Sequence, residues 1–238
     1  KVETSKGLLT LHFVDKKKLL VEFPVSLMGR EFLLGSKVVE TSDMGNGPAG
    51  TMSYTPRHIK FAVVDSTLYM KEVSRTGQNM IFSSSANQNM QEGLKKNSLS
   101  TIVDAFTIAA FNKDSSAVVV DMTSYFVSHT ENMNPFSSGK RTMEYGSGRQ
   151  AVKFKDDLSY LMGVKAFEDN VSIISKLTYL MNLSVGGQLV SVDEPVSITV
   201  NRTLLLLPEK PQMRPRLADP RIGIGTVAME NMGTEVDG

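Results

Sequence analysis

The sequence predicts a mainly β protein, bordering on α+β, with an antiparallel, meander-like sheet and two or three short helices. The first observation is alternation of apolar and polar residues. It is clearest where Val196, Ile198 and Val200 alternate with serine, threonine and asparagine, as in half-buried strands. The second observation is that candidate strands follow one another through short polar turns, which connect antiparallel neighbours. About nine strands are predicted in this way.

The strongest strand signal lies directly before the sharpest break in the chain. After the alternation, residues 204–207 form an unbroken leucine run, which predicts a buried strand end. Four prolines between positions 208 and 220 then exclude helix and central strand. We therefore predict a β-rich domain over residues 1–207. Residues 208–238 are predicted to form an extended Pro/Arg-rich arm and tail leading towards a catalytic domain that these residues do not contain.

The first part of the chain predicts two hairpins with one strand between them. Residues 6–23 form the first hairpin and residues 57–74 the second, each with a polar turn. Between them, residues 26–30 predict one helical turn and residues 31–40 a third strand, with Gly35 as a candidate bulge. Side chains at alternating apolar positions are expected in the core: Leu9, Leu11, Phe13, Val21, Ile59, Phe61, Ile198, Val200 and Leu205.

The middle of the chain is less regular. Residues 77–97 are rich in Asn, Gln and Ser, which predicts a long surface excursion. Residues 98–111 fit both a helical stripe and a strand. The turn at 112–116 and the valines that follow favour a hairpin over about residues 104–122, and a short helix starting at Ser98 is left open.

Two further helices and one long strand are predicted after this hairpin. Thr123 is expected to cap a short helix ending at Val127. Residues 128–148 are expected to form a loop. Asp156 or Asp157 is expected to cap a helix that carries Leu158, Leu161, Met162 and Lys165. Residues 170–183 predict a strand that turns at Gly186-Gly187 into the final strand region.

Composition excludes several classes of function. The net charge is +1 and no long Lys/Arg block occurs, so the sequence offers no electrostatic case for binding nucleic acid. No apolar segment approaches the roughly 18–20 residues of a transmembrane helix. The chain has no cysteine, which excludes disulfides, thiolate metal sites and cysteine nucleophiles. Because the sequence starts at Lys1, we expect a fragment or a processed form.

Catalytic and metal-binding patterns are missing from the sequence. The three histidines, His12, His58 and His129, show neither i, i+4 spacing nor an HExxH motif. His12 and His58 are expected to be solvated on the polar faces of strands. The segment Gly146-Ser147-Gly148 lacks the G-x-S-x-G pattern of a serine nucleophile. We therefore expect no catalytic, cofactor-binding or metal-ligating residue here, no stoichiometric zinc and no peptide cleavage.

The arm carries the most distinctive polar cluster, formed by Arg214, Arg216, Asp219 and Arg221. Arginine suits bidentate contacts with carboxylates at interfaces. One interpretation is an arm that docks onto a neighbouring domain. The other is a local Arg–Asp salt bridge on a solvated linker.

A second short motif lies in the tail. Met229, Glu230 and Asn231 resemble the G-x-M-E-N exopeptidase motif of zinc aminopeptidases, in which a glutamate holds the free amine of the substrate. Here Val227 stands where that motif has its leading glycine. The alternative interpretation is a polar terminal tail.

Several segments together resemble one family. They are residues 26–33 (SLMGREFL), 110–115 (AFNKDS), 118–123 (VVVDMT), 206–208 (LLP) and 213–223 (MRPRLADPRIG). This set is similar to the domain of unknown function that precedes the catalytic domain in large bacterial zinc-dependent metalloproteases. The similarity covers roughly residues 6–225, and the arm is its most specific part. The segment at 77–97 and the tail VAMENMG match no pattern of that family.

The resemblance implies a non-catalytic, N-terminal accessory domain that supports or covers a downstream catalytic domain of the same chain. Zinc would belong to that domain, whose metzincin-like HExxHxxGxxH motif is absent from these residues. Family members carry export signals, which implies a periplasmic, outer-membrane-associated or secreted location. A peptide substrate is a further expected partner. Two alternatives stay open: a β module that binds peptide or glycan, and the N-terminal β domain of a zinc aminopeptidase.

Overall fold

A computed structural model of the chain describes residues 1–43, 47–73, 96, 99–130, 133–136 and 149–209. Eleven strands form one antiparallel sheet, which confirms the predicted mainly β class. In chain order they are β1 (Val2–Lys6), β2 (Thr10–Val14), β3 (Lys18–Pro24), β4 (Glu31–Thr41), β5 (Met52–Val64), β6 (Thr67–Glu72), β7 (Thr101–Phe111), β8 (Ala117–Asp121), β9 (Arg149–Ala166), β10 (Asn170–Val185) and β11 (Gln188–Leu206). A 3-10 turn (Val25–Leu27) and a short helix, α1 (Thr123–Phe126), interrupt them.

The sheet consists of three meanders joined side by side. Its strand order is β1-β2-β3-β8-β7-β6-β5-β4-β11-β10-β9. The first meander, β1 to β3, pairs through β3 with β8 at the end of the second meander. The third meander, β9 to β11, pairs through β11 with β4 at the start of the second. The chain therefore crosses the molecule twice, between β3 and β4 and between β8 and β9.

The crossing from β3 to β4 requires the sheet to curl. Four strands separate β3 from β4, which in a flat sheet corresponds to about 24 Å. The chain from Pro24 to Glu31 reaches about that distance only when fully extended, and its 3-10 turn shortens it. The rings of Phe23 on β3 and Phe32 on β4 lie 5.9 Å apart. Each of these rings also contacts Phe61 on β5, so the three phenylalanines pack together inside the curl.

The core fills the inside of this curled sheet. Inward side chains of the strands surround Tyr125 and Phe126 of α1. A smaller cluster lies under the extension of β9, β10 and β11 and is centred on Tyr179. All but one of the side chains predicted for the core are buried, namely Leu9, Leu11, Phe13, Val21, Ile59, Phe61, Ile198 and Val200.

The exception is Leu205, which is only half-buried, and that prediction was wrong. The alternation of β11 continues through the leucine run, so the inward positions after Val200 are Arg202 and Leu204. An unbroken apolar run predicts burial on both faces of a strand. In the structure only one face of this strand meets the core.

The helix predicted to start at Asp156 or Asp157 was also wrong, because these residues belong to β9. Four residues of β9, 156–159, stand opposite the single residue Leu177 of β10, which makes an enlarged bulge. Ser159 Oγ donates to the Lys155 carbonyl at 2.6 Å, a contact four residues back, as in a helical turn. Of the apolar side chains assigned to that helix, Leu161 is buried, whereas Leu158 and Met162 are exposed.

The remaining elements match the prediction closely. The two N-terminal hairpins, the turn at Gly186-Gly187 and the long strand from Asn170 are confirmed. The short helix at Thr123 is confirmed, although Thr123 does not cap it: its Oγ1 accepts a hydrogen bond from the Leu19 amide instead. For residues 98–111 the sequence fitted both a helix and a strand. In the structure, β7 begins at Thr101, so the segment is a strand from that residue onward. Residues 77–95 and 137–148 lie outside the described residues.

Candidate functional site

The two sets of site residues predicted from the sequence cannot be placed. Arg214, Arg216, Asp219 and Arg221 of the arm lie outside the described residues, and so do Met229, Glu230 and Asn231 of the tail. The boundary predicted at residue 207 stays a prediction for the same reason. The described residues carry two other surfaces that can bind a partner, and one buried polar cluster.

The first surface lies where the two end strands of the sheet, β1 and β9, approach each other. We call this junction the seam. The Leu8 amide donates to the Phe167 carbonyl at 2.6 Å, and the Ala166 amide donates to Ser5 Oγ at 2.9 Å. Gly7 makes this approach possible, because an added Cβ there would overlap the Phe167 carbonyl oxygen. The seam is therefore held together at one end.

Beyond these contacts the seam widens into a cleft of about 290 Å³. Its lining combines polar groups from β1 with the main chain and apolar side chains of β9: Glu3, Thr4, Ser5, Phe13, Lys16, Met162, Gly163 and Val164. This volume is just below the range of about 300–1,000 Å³ that is usual for small-molecule pockets. A Cβ placed on Gly163 would meet nothing within 4 Å, so the space beside this glycine is open.

The turn between β2 and β3 places Lys16 at the cleft. Asp15 and Lys16 both have positive φ, 48° and 55°, as the central residues of a tight hairpin turn require. The cleft thus has Lys16 near its edge and Glu3 of β1 in its lining.

The histidines are dispersed rather than gathered into a site. His12 Nε2 lies 2.8 Å from Glu22 Oε1, and His58 Nε2 lies 2.8 Å from Glu31 Oε2. Both rings are half-buried beside carboxylates, so they differ from the solvated rings that we expected. His129 packs edge-on against Tyr179. In the described ranges, no three His, Asp or Glu side chains are placed to hold a metal ion.

The sequence interpretation missed the buried polar cluster around Arg202. Arg202 is fully buried, and its guanidinium donates to the carbonyl oxygens of Tyr125 at 3.1 Å and Ser128 at 2.9 Å. Ser175 Oγ donates to the Phe126 carbonyl at 2.7 Å. These bonds satisfy carbonyls at the end of α1, which a short helix leaves without partners. Burial lowers the pKa of Arg202. The sequence contained one indication of this burial: Arg202 lies two positions after Val200, so the alternation of the strand places it on the inward face.

The second surface is the tip of the β10–β11 hairpin. These strands continue past β4, whose pairing with β11 ends at Ile198. Leu189, Val190 and Val192 are 67%, 65% and 62% exposed, and Leu183 and Val185 are exposed as well. Residues 183–192 contain no charged side chain. Large exposed apolar patches often mark interaction surfaces, and the tip of this hairpin concentrates exposed apolar side chains in a short stretch without charge.

The main chain of this hairpin edge is protected against strand addition. The Ser42 amide donates to the Ser197 carbonyl, so the main chain at every second residue before Ser197 faces the same edge. Pro195 therefore places its missing amide at that edge, and Asp193 has a φ of 51°. Proline and irregular backbone both discourage pairing with another strand. A partner would consequently contact the apolar side chains rather than the main chain.

Fold and surfaces together define a mainly β domain with candidate interaction sites. Residues 50–237 match the family model described as "Domain of unknown function (DUF5117)". Because this match covers most of the chain, the protein belongs to that family. Residues 1–41 match the model described as "Domain of unknown function (DUF5118)". Comparisons with curated proteins and with solved structures gave no match. In the part of the chain that is described, no helix combines the length and apolar character of a membrane span.

The two family models divide one continuous sheet. The match over residues 1–41 contains β1 to β4, and the second match begins just before β5. β4 nevertheless pairs with β5 on one side and with β11 on the other. The segments matched by the two models therefore share a single core.

Proposed function

We propose that this chain is a non-catalytic accessory domain of an exported bacterial zinc metallopeptidase, and that it supports or covers the catalytic domain. The catalytic domain of the same chain is its partner and holds the zinc. The structural observation that supports this proposal is the exposed, uncharged tip of the β10–β11 hairpin. The similarity of residues 26–33, 110–115 and 118–123 to the domain that precedes such catalytic domains supplies the class of partner.

The segments that carry this similarity build the fold. In the β7–β8 turn, Asn112 Oδ1 accepts the Ala117 amide at 2.8 Å. At the end of β8, the Thr123 hydroxyl donates to Asp121 Oδ1 at 2.6 Å. Residues 26–30 lie in the crossing from β3 to β4, and residues 31–33 begin β4. The residues of the similar segments therefore stabilise turns and strand ends. This structural role is the one expected in a non-catalytic accessory domain.

The hairpin tip fits a domain partner for a physical reason. Transferring exposed valine and leucine side chains into an interface contributes roughly 25 cal/mol for each Å² of apolar surface removed from water. Because Pro195 has no amide to offer at this edge, a partner would contact the side chains of the tip rather than pair with its main chain. A folded domain with an apolar groove is therefore a better partner for the tip than an unpaired strand. The exported location belongs to the same proposal, since members of the similar family carry export signals.

The test uses the full-length protein that contains this chain. Leu189, Val190 and Val192 are replaced together by serine, and Val64→Ser is the control because Val64 is an exposed valine beside another hairpin turn. We expect the triple variant to lose peptidase activity and resistance to limited proteolysis, with the Val64 variant unaffected. Both variants should leave the melting temperature of the isolated chain nearly unchanged, as surface substitutions usually do.

Two outcomes would contradict different parts of the proposal. A full-length protein that binds no zinc and hydrolyses no peptide would overturn the metallopeptidase assignment. Zinc-dependent hydrolysis that the triple substitution leaves intact would remove the hairpin tip as the docking surface. A full-length sequence carrying HExxH, with a glutamate about 18 residues after the second histidine, would support the aminopeptidase alternative instead.

A further inference from the structure

The seam presents unpaired main-chain groups from β1. The Asp15 amide donates to the Lys1 carbonyl, so this pair exchanges hydrogen bonds between β1 and β2. Because such pairs recur at every second residue, Glu3 and Ser5 also face β2. Thr4 and Lys6 therefore direct their amide and carbonyl groups to the seam. Leu8 follows the same alternation, and its amide bonds to Phe167 across the seam.

The facing edge of β9 has the same property. The Phe167 amide donates to the Asn170 carbonyl, which places the Gly163 and Lys165 main chain towards β10. Ala166 and Val164 consequently face the seam. The Ala166 amide is bonded to Ser5 Oγ. Among the described residues, β1 pairs only with β2 and β9 only with β10, so the ladder leaves the main chain of Thr4 and Val164 without a strand partner across the seam.

Thr4 and Val164 both line the cleft. Two strand edges with free main-chain groups therefore border one cavity. An extended peptide is the ligand whose own amides and carbonyls recur at the spacing of such an edge. Phe13, Met162 and Val164 add apolar side chains to a lining that is mainly polar, and the open space beside Gly163 can take a side chain. Glu3, Ser5 and Lys16 supply polar groups around it.

We propose that the seam cleft binds an extended segment of a separate polypeptide by strand addition. The segment bonds to the main chain of Thr4 and Val164 and places one side chain beside Gly163. The cleft volume of about 290 Å³ limits the bound stretch to a short part of that segment. This inference rests on the seam geometry alone and is independent of the proposed metallopeptidase context.

The test follows the amide signals of Thr4 and Val164 by NMR in the isolated chain. The probes are capped pentapeptides, acetyl-Thr-Val-X-Val-Thr-amide, in which X is Ala, Leu, Phe, Glu or Lys. A second set carries N-methyl groups on alternate residues, which removes amide donors from one edge. We expect saturable shifts and slowed hydrogen exchange at Thr4 and Val164 with the unmodified set, and a loss of binding with the methylated set.

Two glycine variants show where the peptide binds. Gly163→Val fills the open space beside the cleft. Gly35→Val is the matched control, since Gly35 also lies within a strand and a Cβ there makes only ordinary contact with Met52. Gly163→Val should weaken binding about tenfold, equivalent to roughly 1.4 kcal/mol, while Gly35→Val should not. Circular dichroism verifies that both variants keep the fold.

Three results would overturn the proposal. The first is the absence of any shift at Thr4 and Val164 with all five peptides. The second is binding that neither N-methylation nor Gly163→Val reduces. The third is a concentration-dependent dimer that Gly163→Val dissociates, which would make a second copy of this chain the occupant.

Discussion

The guanidinium group of Arg202 donates a hydrogen bond to the main-chain carbonyl oxygen of Tyr125 across 3.1 Å, inside the curled sheet. Its other terminal nitrogen reaches the Ser128 carbonyl. One side chain of β11 thus fixes the segment that crosses the interior after β8. Both of these partners are main-chain carbonyls rather than carboxylates, so the forked shape of the guanidinium matters as much as its charge.

Arg202→Lys is expected to destabilise the protein by about 1–3 kcal/mol, because a single ammonium group does not reproduce the planar fork and leaves a buried carbonyl without its partner. The measurement is the free energy of unfolding in urea. Lys176→Arg, at a half-buried position on the other face of β10, serves as a control for basic-residue exchange. Equal unfolding free energies for Arg202→Lys and the unsubstituted protein would contradict a structural role for the fork.

Phe61→Ala is expected to cost about 3–5 kcal/mol, the usual range for truncating a close-packed phenylalanine. Phe61 contacts both Phe23 and Phe32, with ring centroids 4.6 Å and 5.6 Å away. Chemical denaturation measures the effect. Phe111→Ala provides the comparison, since Phe111 is 55% exposed and its truncation should change stability little. A similar loss in both variants would show that Phe61 is not the centre of the packing.

The buried phenol of Tyr125 is expected to make the protein less stable in alkaline solution. Burial raises the pKa of Tyr125 to about 12, while the unfolded chain ionises near pH 10. Between these values the unfolded state releases its proton first, so stability falls as the pH rises from about 10 to 12. Tyr125→Phe should weaken this dependence. Tyr160→Phe, at a half-exposed tyrosine, should leave it unchanged. The unfolding midpoint measured against pH gives the comparison, and parallel curves for all three proteins would refute the assignment.

Gly7→Ala is expected to separate the two end strands. The new methyl group would overlap the Phe167 carbonyl oxygen, which is main chain and has little freedom to move. We expect a loss of about 1–3 kcal/mol, as for other overpacked sites, and faster hydrogen exchange at the Leu8 amide. Gly163→Ala on the facing strand meets open space and should be tolerated. Unchanged exchange at Leu8 in Gly7→Ala would argue against a closed seam.

A fragment of residues 50–238 should not fold by itself. It lacks β4, which lies between β5 and β11, and β3, which pairs with β8. Phe61 would lose the rings of Phe23 and Phe32. Adding residues 1–41 as a separate peptide should restore strand signal in circular dichroism and a cooperative melting transition. Cooperative unfolding of the fragment without the peptide would show that it has its own core.

Alternation of side chains was sufficient to predict the fold class and nine of the eleven strands. It failed at β1 and β9. β1 is exposed along nearly its whole length, so no core contact imposes an apolar pattern on it. β9 carries a bulge at residues 156–159, which shifts its register and interrupts the alternation of inward and outward side chains. These two strands form the seam, and for that reason the cleft between them could not be predicted.

Arg202 shows a second limit of pattern reasoning. Its position in the alternation of β11 pointed inward, but a charged residue is rarely buried without a partner. The partners are carbonyls exposed by the end of α1, a four-residue helix more than seventy positions away in the sequence. Only the path of the chain through the interior reveals them. The docking arm stays a prediction, because the residues that form it lie outside the described ranges.

The pairing of β4 with β11 has a consequence for the time course of folding. Phe32 lies opposite Leu206, so this part of the sheet waits until nearly all of the described chain has left the ribosome. Strand pairs so distant in sequence form slowly, because a long loop must close before the contacts stabilise it. During synthesis the edge of β4 and the apolar side chains beside it remain open to other chains. Nascent molecules should therefore depend on chaperones, and refolding from denaturant should become less efficient as protein concentration rises.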